Sequence, residues 1–188
     1  MADLFVDRLT ENPVIAAVKD EAGLSAALAS GRIRTVFILF GDILNISGLV
    51  ARVKDAGKLA MVHADLVEGL AGKEIAVDFL KKTTRADGII TTRQPFARRA
   101  GELRFHCILR VFVLDSIALS GMKKLEGLKP DAIEILPGLM PGIIRRLSEE
   151  TSLPILAGGL IAEKSDVLQA LDAGACAIST TNAKLWNI

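Results

Sequence analysis

The stretch Leu153–Trp186, LPILAGGLIAEKSDVLQALDAGACAISTTNAKLW, decides the fold of this chain. An apolar run, Leu153–Ala157, leads into Gly158-Gly159; a helical segment follows, and a second apolar run, Cys176–Ser179, leads into Thr180. In a (β/α)8 barrel, the loops after the seventh and eighth strands form the usual phosphate site. Glycines let the backbone approach an anion closely, and a helix N-terminus adds free N–H groups. The stretch therefore predicts both a barrel and a phosphorylated ligand.

The rest of the chain repeats the same alternation of apolar runs and helical segments. The helical segments show apolar residues at 3.6-residue spacing over Asp42–Ala56, Lys73–Lys82, Pro141–Glu150 and Glu163–Ala173. The apolar runs are continuous rather than alternating, as in a parallel sheet that is covered by helices. No GxGxxG follows the first run, which argues against an open dinucleotide-binding sheet. We therefore expect a compact TIM barrel with eight strands, the six earlier ones being Val14–Val18, Thr35–Leu39, Leu59–His63, Gly88–Thr91, Phe105–Val111 and Asp131–Leu136.

Length and composition restrict how this barrel is built. The 188 residues are fewer than the ~250 of a typical barrel. We expect tight connections, with at least one helix reduced to a turn. The chain is 51% hydrophobic with no Tyr, so its core must be aliphatic. No linker-like segment divides it, which predicts one domain over residues 1–188. Gly31, Gly57 and Gly174 fall where helix C-caps are expected.

Charge is unevenly distributed along the chain. The segment Lys81–Arg110 holds eight basic and two acidic residues, although the formal net charge of the whole chain is only +1. Such a basic region indicates contact with a polyanion. The topology places Arg93 on the ligand face, whereas Arg98 and Arg99 fall on an outer helix, where a solvated surface and a nucleic-acid contact both remain open. Phe96 and Phe105 are the only aromatic residues nearby, so an RNA contact would be made to the RNA backbone rather than by base stacking.

Several classes of protein are disfavoured by the sequence. Cys107 and Cys176 lie in apolar runs without metal or redox spacing, and we expect buried thiols. The N-terminal residues lack the basic and apolar regions of a signal peptide. No uncharged apolar run approaches the ~20 residues that a membrane span needs. We therefore expect a cytoplasmic protein with no membrane contact.

Polar residues accumulate at the ends of the predicted strands, where barrels carry their functional sites. Lys19 follows the first strand and His63 ends the third, with Asp65 two residues later. On an extended backbone, His63 and Asp65 point the same way. They could bind ligand hydroxyls, act as an acid/base pair, help hold a metal, or form a structural hydrogen-bonded pair. No histidine spacing of a zinc site is present.

Arg110 and Glu134 form a second candidate pair. Arg110 ends the fifth strand and Glu134 lies in the sixth. A buried cation needs a partner, and Glu134 is the neighbour that could supply it. The pair is either a structural ion pair or a means to hold Arg110 toward the ligand, whose phosphate its planar fork would fit.

Six ordered motifs make the chain resemble the glycerol uptake operon antiterminator regulatory proteins. Together they extend from about residue 12 to residue 186. The fourth-strand motif carries Thr91-Thr92 where the family pattern more often has Ser-Thr, which keeps a hydroxyl. The motifs are HADLVEGL (63–70), GIITTR (88–93), RVFVLDS (110–116), DAIEILPG (131–138), ILAGGLI (155–161) and AISTTNAKLW (177–186).

The resemblance implies a TIM barrel that senses glycerol 3-phosphate and then binds leader mRNA to prevent early termination. It implies a regulator rather than an enzyme, with no metal and no cofactor besides this effector. A homodimer would suit exposed apolar helix faces. The implied phosphate residues are Gly158, Gly159, Ser179 and Thr180, and the implied glycerol-facing or positioning residues are His63, Asp65, Arg110 and Glu134.

A second function remains open from the residues alone. A phosphosugar or phosphoglycerol enzyme on the same barrel could use His63, Asp65, Glu134 and Lys19 for acid/base and electrophilic chemistry. This fold hosts many reactions, so the fold does not exclude it. A barrel that retains ligand binding without either activity is a third alternative.

Overall fold

The chain folds into a closed barrel of eight parallel strands, as the sequence predicts. The computed structural model describes residues 4–188, apart from the side chains of Ile117, Ser120 and Lys123. Each strand pairs with its neighbours in sequence, and the last pairs with the first through Val14 and Ile178. The first three residues of the predicted single domain, 1–188, lie outside the described residues. The strands are β1 Val14–Val18, β2 Thr35–Ile38, β3 Leu59–His63, β4 Gly88–Thr91, β5 His106–Phe112, β6 Ala132–Leu136, β7 Ile155–Gly158 and β8 Ala177–Thr180.

Seven helices connect the strands, and an eighth element is shortened. A helix fills every crossover from β1 to β8, but only a 3-10 turn, Ala183–Leu185, follows β8. This explains how a short chain completes the barrel, and it confirms the expected reduction of one helix to a turn. No helix between residues 4 and 188 has the length and apolarity needed to cross a bilayer. The helices are α1 Leu4–Glu11, α2 Glu21–Ala29, α3 Ile46–Asp55, α4 Ile75–Thr83, α5 Gln94–Glu102, α6 Ser116–Leu125, α7 Pro141–Glu150 and α8 Lys164–Asp172.

Helix α1 precedes the barrel and closes its N-terminal end. Its residues Phe5 and Leu9 are buried among the side chains of the barrel interior. The sequence pattern predicts no helix or strand for this segment. Because this end is filled with apolar side chains, the carboxyl ends of the strands are the place where a ligand could reach the barrel interior.

The interior side chains change from apolar to polar along the strands. Since side chains alternate in direction, every second residue faces the interior. The apolar layer includes Met61, Ile108, Ala132, Leu156 and Ala177. Two residues further along each of these strands stand His63, Arg110, Glu134, Gly158 and Ser179. The strand register therefore gathers the candidate site residues into one layer at the open end.

Several predicted boundaries differ from the observed ones by one or more residues, and in two places local hydrogen bonds show the reason. Helix α3 begins at Ile46 rather than Asp42, because the Asp42 and Asn45 side chains bind nearby amides and form a turn. Gly57 and Gly174 do follow helix ends in the left-handed region, with φ of 72° and 104°. Gly31 does not adopt this conformation. Helix α2 ends at Ala29 and is capped by Ser30, whose hydroxyl accepts from the amide of Ile33.

The two cysteines are unpaired thiols. Cys107 is buried, and Cys176 is partly buried. Burial raises the pKa of both thiols, that of Cys176 to about 11. Neither forms the thiolate that reactive cysteines need at neutral pH.

Candidate functional site

A cavity of about 550 Å³ opens at the carboxyl ends of the strands. Its size lies within the range of about 300–1,000 Å³ found for small-molecule sites. The loops that follow β7 and β8 form one wall, and β1, β5, β6 and the residue after β2 contribute the other. The lining residues are Ala17, Leu39, Arg110, Leu136, Gly159–Ala162 and Ser179–Asn182.

The loop after β7 presents free backbone amides to this cavity. Gly159 and Leu160 both adopt positive φ, 73° and 62°. Their N–H groups donate to no acceptor among residues 4–188. A non-glycine residue in this conformation is strained, and such strain is often found at ligand-binding loops. The two amides are therefore candidate donors to an anion.

The start of α8 does not add amides to this set. Asp166 accepts from the backbone N–H groups of Ala162 and Glu163, and the side chain of Glu163 accepts from the third residue of the helix. These hydrogen bonds form a capping box, which satisfies the amides of Ala162, Glu163 and Asp166. They also hold the pKa of the Asp166 carboxyl below its usual value. The cavity lining stops at Ala162 on this side, before the first residue of α8, and the contribution of a helix N-terminus to the phosphate cradle stays a prediction.

The predicted phosphate residues have different surroundings. Ser179 and Thr180 line the cavity, but their hydroxyl protons are engaged: Ser179 donates to Glu134 Oε1, and Thr180 donates to the carbonyl of Ile161. Gly158 has no side chain and so leaves space for the side chains of Glu134 and Ser179. A Cβ at Gly158 would lie 2.6 Å from Glu134 Oε1 and 2.7 Å from Ser179 Oγ. Of the four residues, Gly159 is the one that offers a free donor to the cavity.

Arg110 and Glu134 form the expected buried pair. The two residues are direct neighbours on β5 and β6, and Arg110 Nε lies 2.6 Å from Glu134 Oε2. The Glu134 side chain is fully buried, whereas that of Arg110 is 10% exposed and lines the cavity. The Nη groups of Arg110 donate to no described residue. The ion pair is confirmed and fixes Arg110, whose outer nitrogens have no partner among the described residues; contact of Arg110 with a ligand stays a prediction.

His63 is buried in the same layer with an unsatisfied ring nitrogen. Its residue is 3% exposed, and Nδ1 has no hydrogen-bond partner among the described residues. Burial, together with the positive charge of Arg110, lowers the pKa of His63 to about 4. The imidazole is therefore neutral at pH 7. A neutral ring can donate to or accept from a ligand hydroxyl.

Asp65 does not accompany His63 on an extended backbone, as the sequence analysis assumed. The strand ends at His63, and Asp65 lies in a 3-10 turn, Ala64–Leu66. Its carboxylate accepts from Thr91 Oγ1 and from both the amide and the hydroxyl of Thr92, each at 2.7 Å. Asp65 therefore fastens the loop after β3 to the loop after β4.

The other predicted residues, Lys19 and the three arginines of the basic region, lie outside the cavity. Its lining does not include the buried neighbours of Arg110 and Ser179 either, namely His63, Glu134 and Gly158, nor Asp65. Lys19 is exposed at the end of β1, two residues beyond Ala17. The exposed Arg93 lies 3.7 Å from Asp65 Oδ1, with its guanidinium over the ring of Phe96. Arg98 is exposed on α5. Arg99 is held by Asp78 and Glu102 through three hydrogen bonds.

Some cavity residues were not singled out in the sequence. Leu160 and Asn182 lie within the quoted motifs, but only the positive φ and the cavity reveal their place. The side chain of Asn182 donates to the carbonyl of Ala162, and so it connects the loops after β7 and β8. Among the described residues, no cluster of three or more His, Cys, Asp or Glu side chains could hold a metal ion.

Other proteins share this sequence and architecture. A family model described as glycerol-3-phosphate responsive antiterminator matches residues 14–186. The uncharacterized protein YgcP of Escherichia coli is 43% identical over 181 residues, which cover 96% of this chain and 94% of that protein. The structure of a glycerol uptake operon antiterminator regulatory protein from Listeria monocytogenes superposes with a TM-score of 0.87 at 32% identity, covering 92% of this chain and 94% of that one. A glycerol uptake operon antiterminator-related protein from Thermotoga maritima has a TM-score of 0.84 at 33% identity, covering 94% and 99%.

More distant barrels share only the fold. Orotidine 5'-phosphate decarboxylase from Pyrococcus horikoshii has a TM-score of 0.71 at 16% identity, covering 93% of this chain and 91% of that one. The family match, in contrast, extends over nearly the whole barrel, from β1 to the turn that follows β8. This chain therefore belongs to the glycerol-3-phosphate responsive antiterminator family.

Proposed function

We propose that this protein binds glycerol 3-phosphate in the cavity at the open end of the barrel and, in the liganded state, binds leader mRNA. Binding to the leader would prevent early termination of transcription of glycerol uptake and metabolism genes. The observation that carries the proposal is the pair of unsatisfied amides, Gly159 and Leu160, facing a cavity that also contains the free Nη groups of Arg110. The family to which the chain belongs supports the identity of the ligand.

The phosphate would bind between the β7 loop and Arg110. Backbone N–H groups and a planar guanidinium are the donors that phosphate oxygens prefer. Glu134 places a negative charge nearby, but its carboxylate is already compensated by Arg110 and hydrogen-bonded by Ser179. The amides, which carry no opposing charge, would therefore supply much of the binding. Lys19 at the rim would add long-range attraction.

The glycerol part would bind toward His63. The neutral imidazole with its unsatisfied Nδ1 would hydrogen-bond a hydroxyl group of the ligand. The apolar side chains of Leu39 and Leu136 would pack against the carbon chain. Asp65 would act as a positioning residue, since Thr91 and Thr92 already occupy its oxygens.

Ligand binding would act on RNA affinity by selecting one arrangement of the loops. A ligand shifts an equilibrium only by its differential affinity for the two states. The strained backbone at Leu160 is an arrangement that an anion on the neighbouring amides would favour. The liganded arrangement would then be the one that binds RNA.

Two measurements test the proposal. Calorimetry should detect binding of glycerol 3-phosphate and much weaker binding of glycerol or inorganic phosphate alone, because each fragment lacks half of the contacts. Filter binding with a leader transcript at low salt should show tighter RNA binding with glycerol 3-phosphate than without it. The absence of glycerol 3-phosphate binding, or RNA binding that ignores the ligand, would contradict the proposal.

The alternative function, an enzyme acting on a phosphosugar or phosphoglycerol, can be tested directly. The shared fold with orotidine 5'-phosphate decarboxylase supports no particular reaction, because identity is only 16%. We expect glycerol 3-phosphate to be recovered unchanged after prolonged incubation with the protein, as followed by phosphorus NMR. Formation of a product would favour the enzyme. A homodimer stays a prediction. A cytoplasmic location also stays a prediction, and it is the compartment in which the protein would encounter a leader transcript.

A further inference from the structure

We propose that the RNA backbone binds along the outside of helix α5, in a groove that we call the α5 groove. Its cations are Lys73, Arg93, Arg98, Arg104 and Lys129. This inference rests on the proposed function, since it names the surface through which the regulator would contact RNA. The sequence alone pointed only to Arg93, Arg98 and Arg99.

The groove consists of two adjoining cavities that share Arg98. One has a volume of about 670 Å³, lies at the start of α5, and contains Lys73 and Arg93. The other has a volume of about 530 Å³, lies beyond the end of α5, and contains Arg104 and Lys129. At a helical rise of 1.5 Å per residue, the backbone from Arg93 to Arg104 covers about 16 Å. The three arginines are thus spread along the helix rather than forming a compact cluster, as the contacts of an extended polyanion require.

The cations of the groove are mostly uncompensated. Lys73, Arg98, Arg104 and Lys129 form no ion pair with any residue between 4 and 188, and the Arg93 pair is long, at 3.7 Å. Three carboxylates also line the groove, and two of them are engaged. Glu102 accepts from Arg99, and Asp131 accepts from the amide of Cys107 and contacts His106. Glu74 is the third.

Arg99 is excluded from the groove by its partners. It donates to both oxygens of Asp78 and to Glu102, so its guanidinium is already occupied. Arg104 and Lys129 take its place in the proposed surface. Both adopt a left-handed backbone, with φ of 51°, Arg104 two residues before β5 and Lys129 three residues before β6. Strain of this kind at two neighbouring cationic residues is consistent with a functional surface.

The groove offers charge but no exposed aromatic rings. Phe96 and Phe105 are 2% and 3% exposed, and Arg93 and Lys81 lie over their ring faces. These rings can therefore orient cations but cannot stack on bases. Binding through phosphates alone depends strongly on salt and little on base identity. Sequence preference in the leader would have to come from RNA shape.

Arg93 connects the groove to the ligand cavity. Its amide donates to Thr91 Oγ1, and its guanidinium lies near Asp65, which also binds Thr91 and Thr92. Asp65 follows the buried His63 of the cavity layer by two residues. A ligand that contacts His63 could therefore shift the position of the first cation in the groove.

The test compares two double variants that each remove two positive charges. Arg98→Gln/Arg104→Gln removes them from the groove, and Arg32→Gln/Arg145→Gln removes two exposed arginines elsewhere. With glycerol 3-phosphate present, the groove variant should bind the leader transcript about tenfold or more weakly, with a salt slope smaller by about 1.4 for two lost phosphate contacts on a single strand. The control variant should match the wild type. Both should bind glycerol 3-phosphate normally by calorimetry.

The possible outcomes distinguish failure of the α5 groove from failure of the proposed function. If the wild type binds RNA in response to glycerol 3-phosphate but both double variants bind equally well, the α5 groove is wrong and the function stands. If the wild type does not bind RNA, the proposed function fails and the groove fails with it. Acetylation of the wild type gives a second readout: RNA should protect Lys73 and Lys129 but not Lys164, and equal modification of all three would also overturn the groove.

Discussion

Arg110 and Glu134 face each other across the β5–β6 pair, and Arg110 Nε lies 2.6 Å from Glu134 Oε2. The other carboxylate oxygen accepts from Ser179 on β8, on the far side of β7. One buried carboxylate therefore ties together strands from two parts of the barrel wall. Removal of either charged partner would leave the other buried without compensation, which is more costly than the net value of the pair.

Glu134→Ala should destabilise the protein by about 3–5 kcal/mol, since it leaves Arg110 unpaired next to the barrel core. Glu134→Gln keeps an acceptor for Ser179 or Arg110 and should cost less. Urea denaturation of the three proteins measures the free energies of unfolding. A loss below about 1 kcal/mol in the alanine variant would mean that solvent reaches Arg110 more freely than its exposure indicates.

Gly158→Ala should weaken both folding and ligand binding. The new Cβ would lie 2.6 Å from Glu134 Oε1 and 2.7 Å from Ser179 Oγ, so the carboxylate must move. We expect a loss of about 1–3 kcal/mol in stability, as for other overpacked sites. Gly142→Ala is the matched control, because a Cβ at Gly142 in α7 has open space. Equal behaviour of the two variants in denaturation and calorimetry would contradict the role assigned to Gly158.

His63 should make stability depend on pH. Its folded-state pKa of about 4 lies below the ordinary value of 6.5, so the unfolded chain binds the proton more readily. This contribution to stability is fully present above pH 6.5 and is lost as the pH falls toward 4, with a size on the order of 2–3 kcal/mol. His63→Gln should show a shallower decline in unfolding free energy between pH 7 and pH 4.5. Parallel curves for the two proteins would show that His63 titrates normally.

Ligand binding should change the intrinsic fluorescence. Trp186 is the single Trp of the chain, and there is no Tyr. Its buried indole donates from Nε1 to the carbonyl of Thr180, a residue that lines the cavity. Titration with glycerol 3-phosphate should therefore alter the emission of Trp186, whereas glycerol at the same concentration should not. Saturable binding in a calorimeter without any change in emission would place the ligand away from the β8 loop.

The fold could be predicted in detail because eight apolar runs alternate with helical segments. Three strands, Val14–Val18, Leu59–His63 and Gly88–Thr91, begin and end where the sequence predicts. Helix ends were less accurate where side chains compete with the backbone, as Asp42 and Ser30 do. Helix α1 has no place in the repeating pattern of strands and helices, and its role became visible only from its burial in the barrel.

The candidate site was predictable in composition but not in hydrogen bonding. Strand order placed His63, Arg110, Glu134 and Ser179 at one end of the barrel, and the structure brings them into one layer. The sequence did not show that Thr91 and Thr92 bind Asp65, or that Asp78 and Glu102 bind Arg99. These contacts join elements that are distant along the chain, so no local pattern predicts them.

The plug formed by α1 has a consequence for kinetics. Because Phe5 and Leu9 fill one end of the barrel, a small molecule in the interior has a single route in and out. A nucleic acid seated along α5 would leave that route uncovered. The effector can therefore leave while RNA is bound. Because the effector favours RNA binding, RNA must in turn favour effector binding, and we expect the ribonucleoprotein to bind the effector more tightly than the free protein does. A regulator built this way could respond to a falling effector concentration without first releasing its transcript.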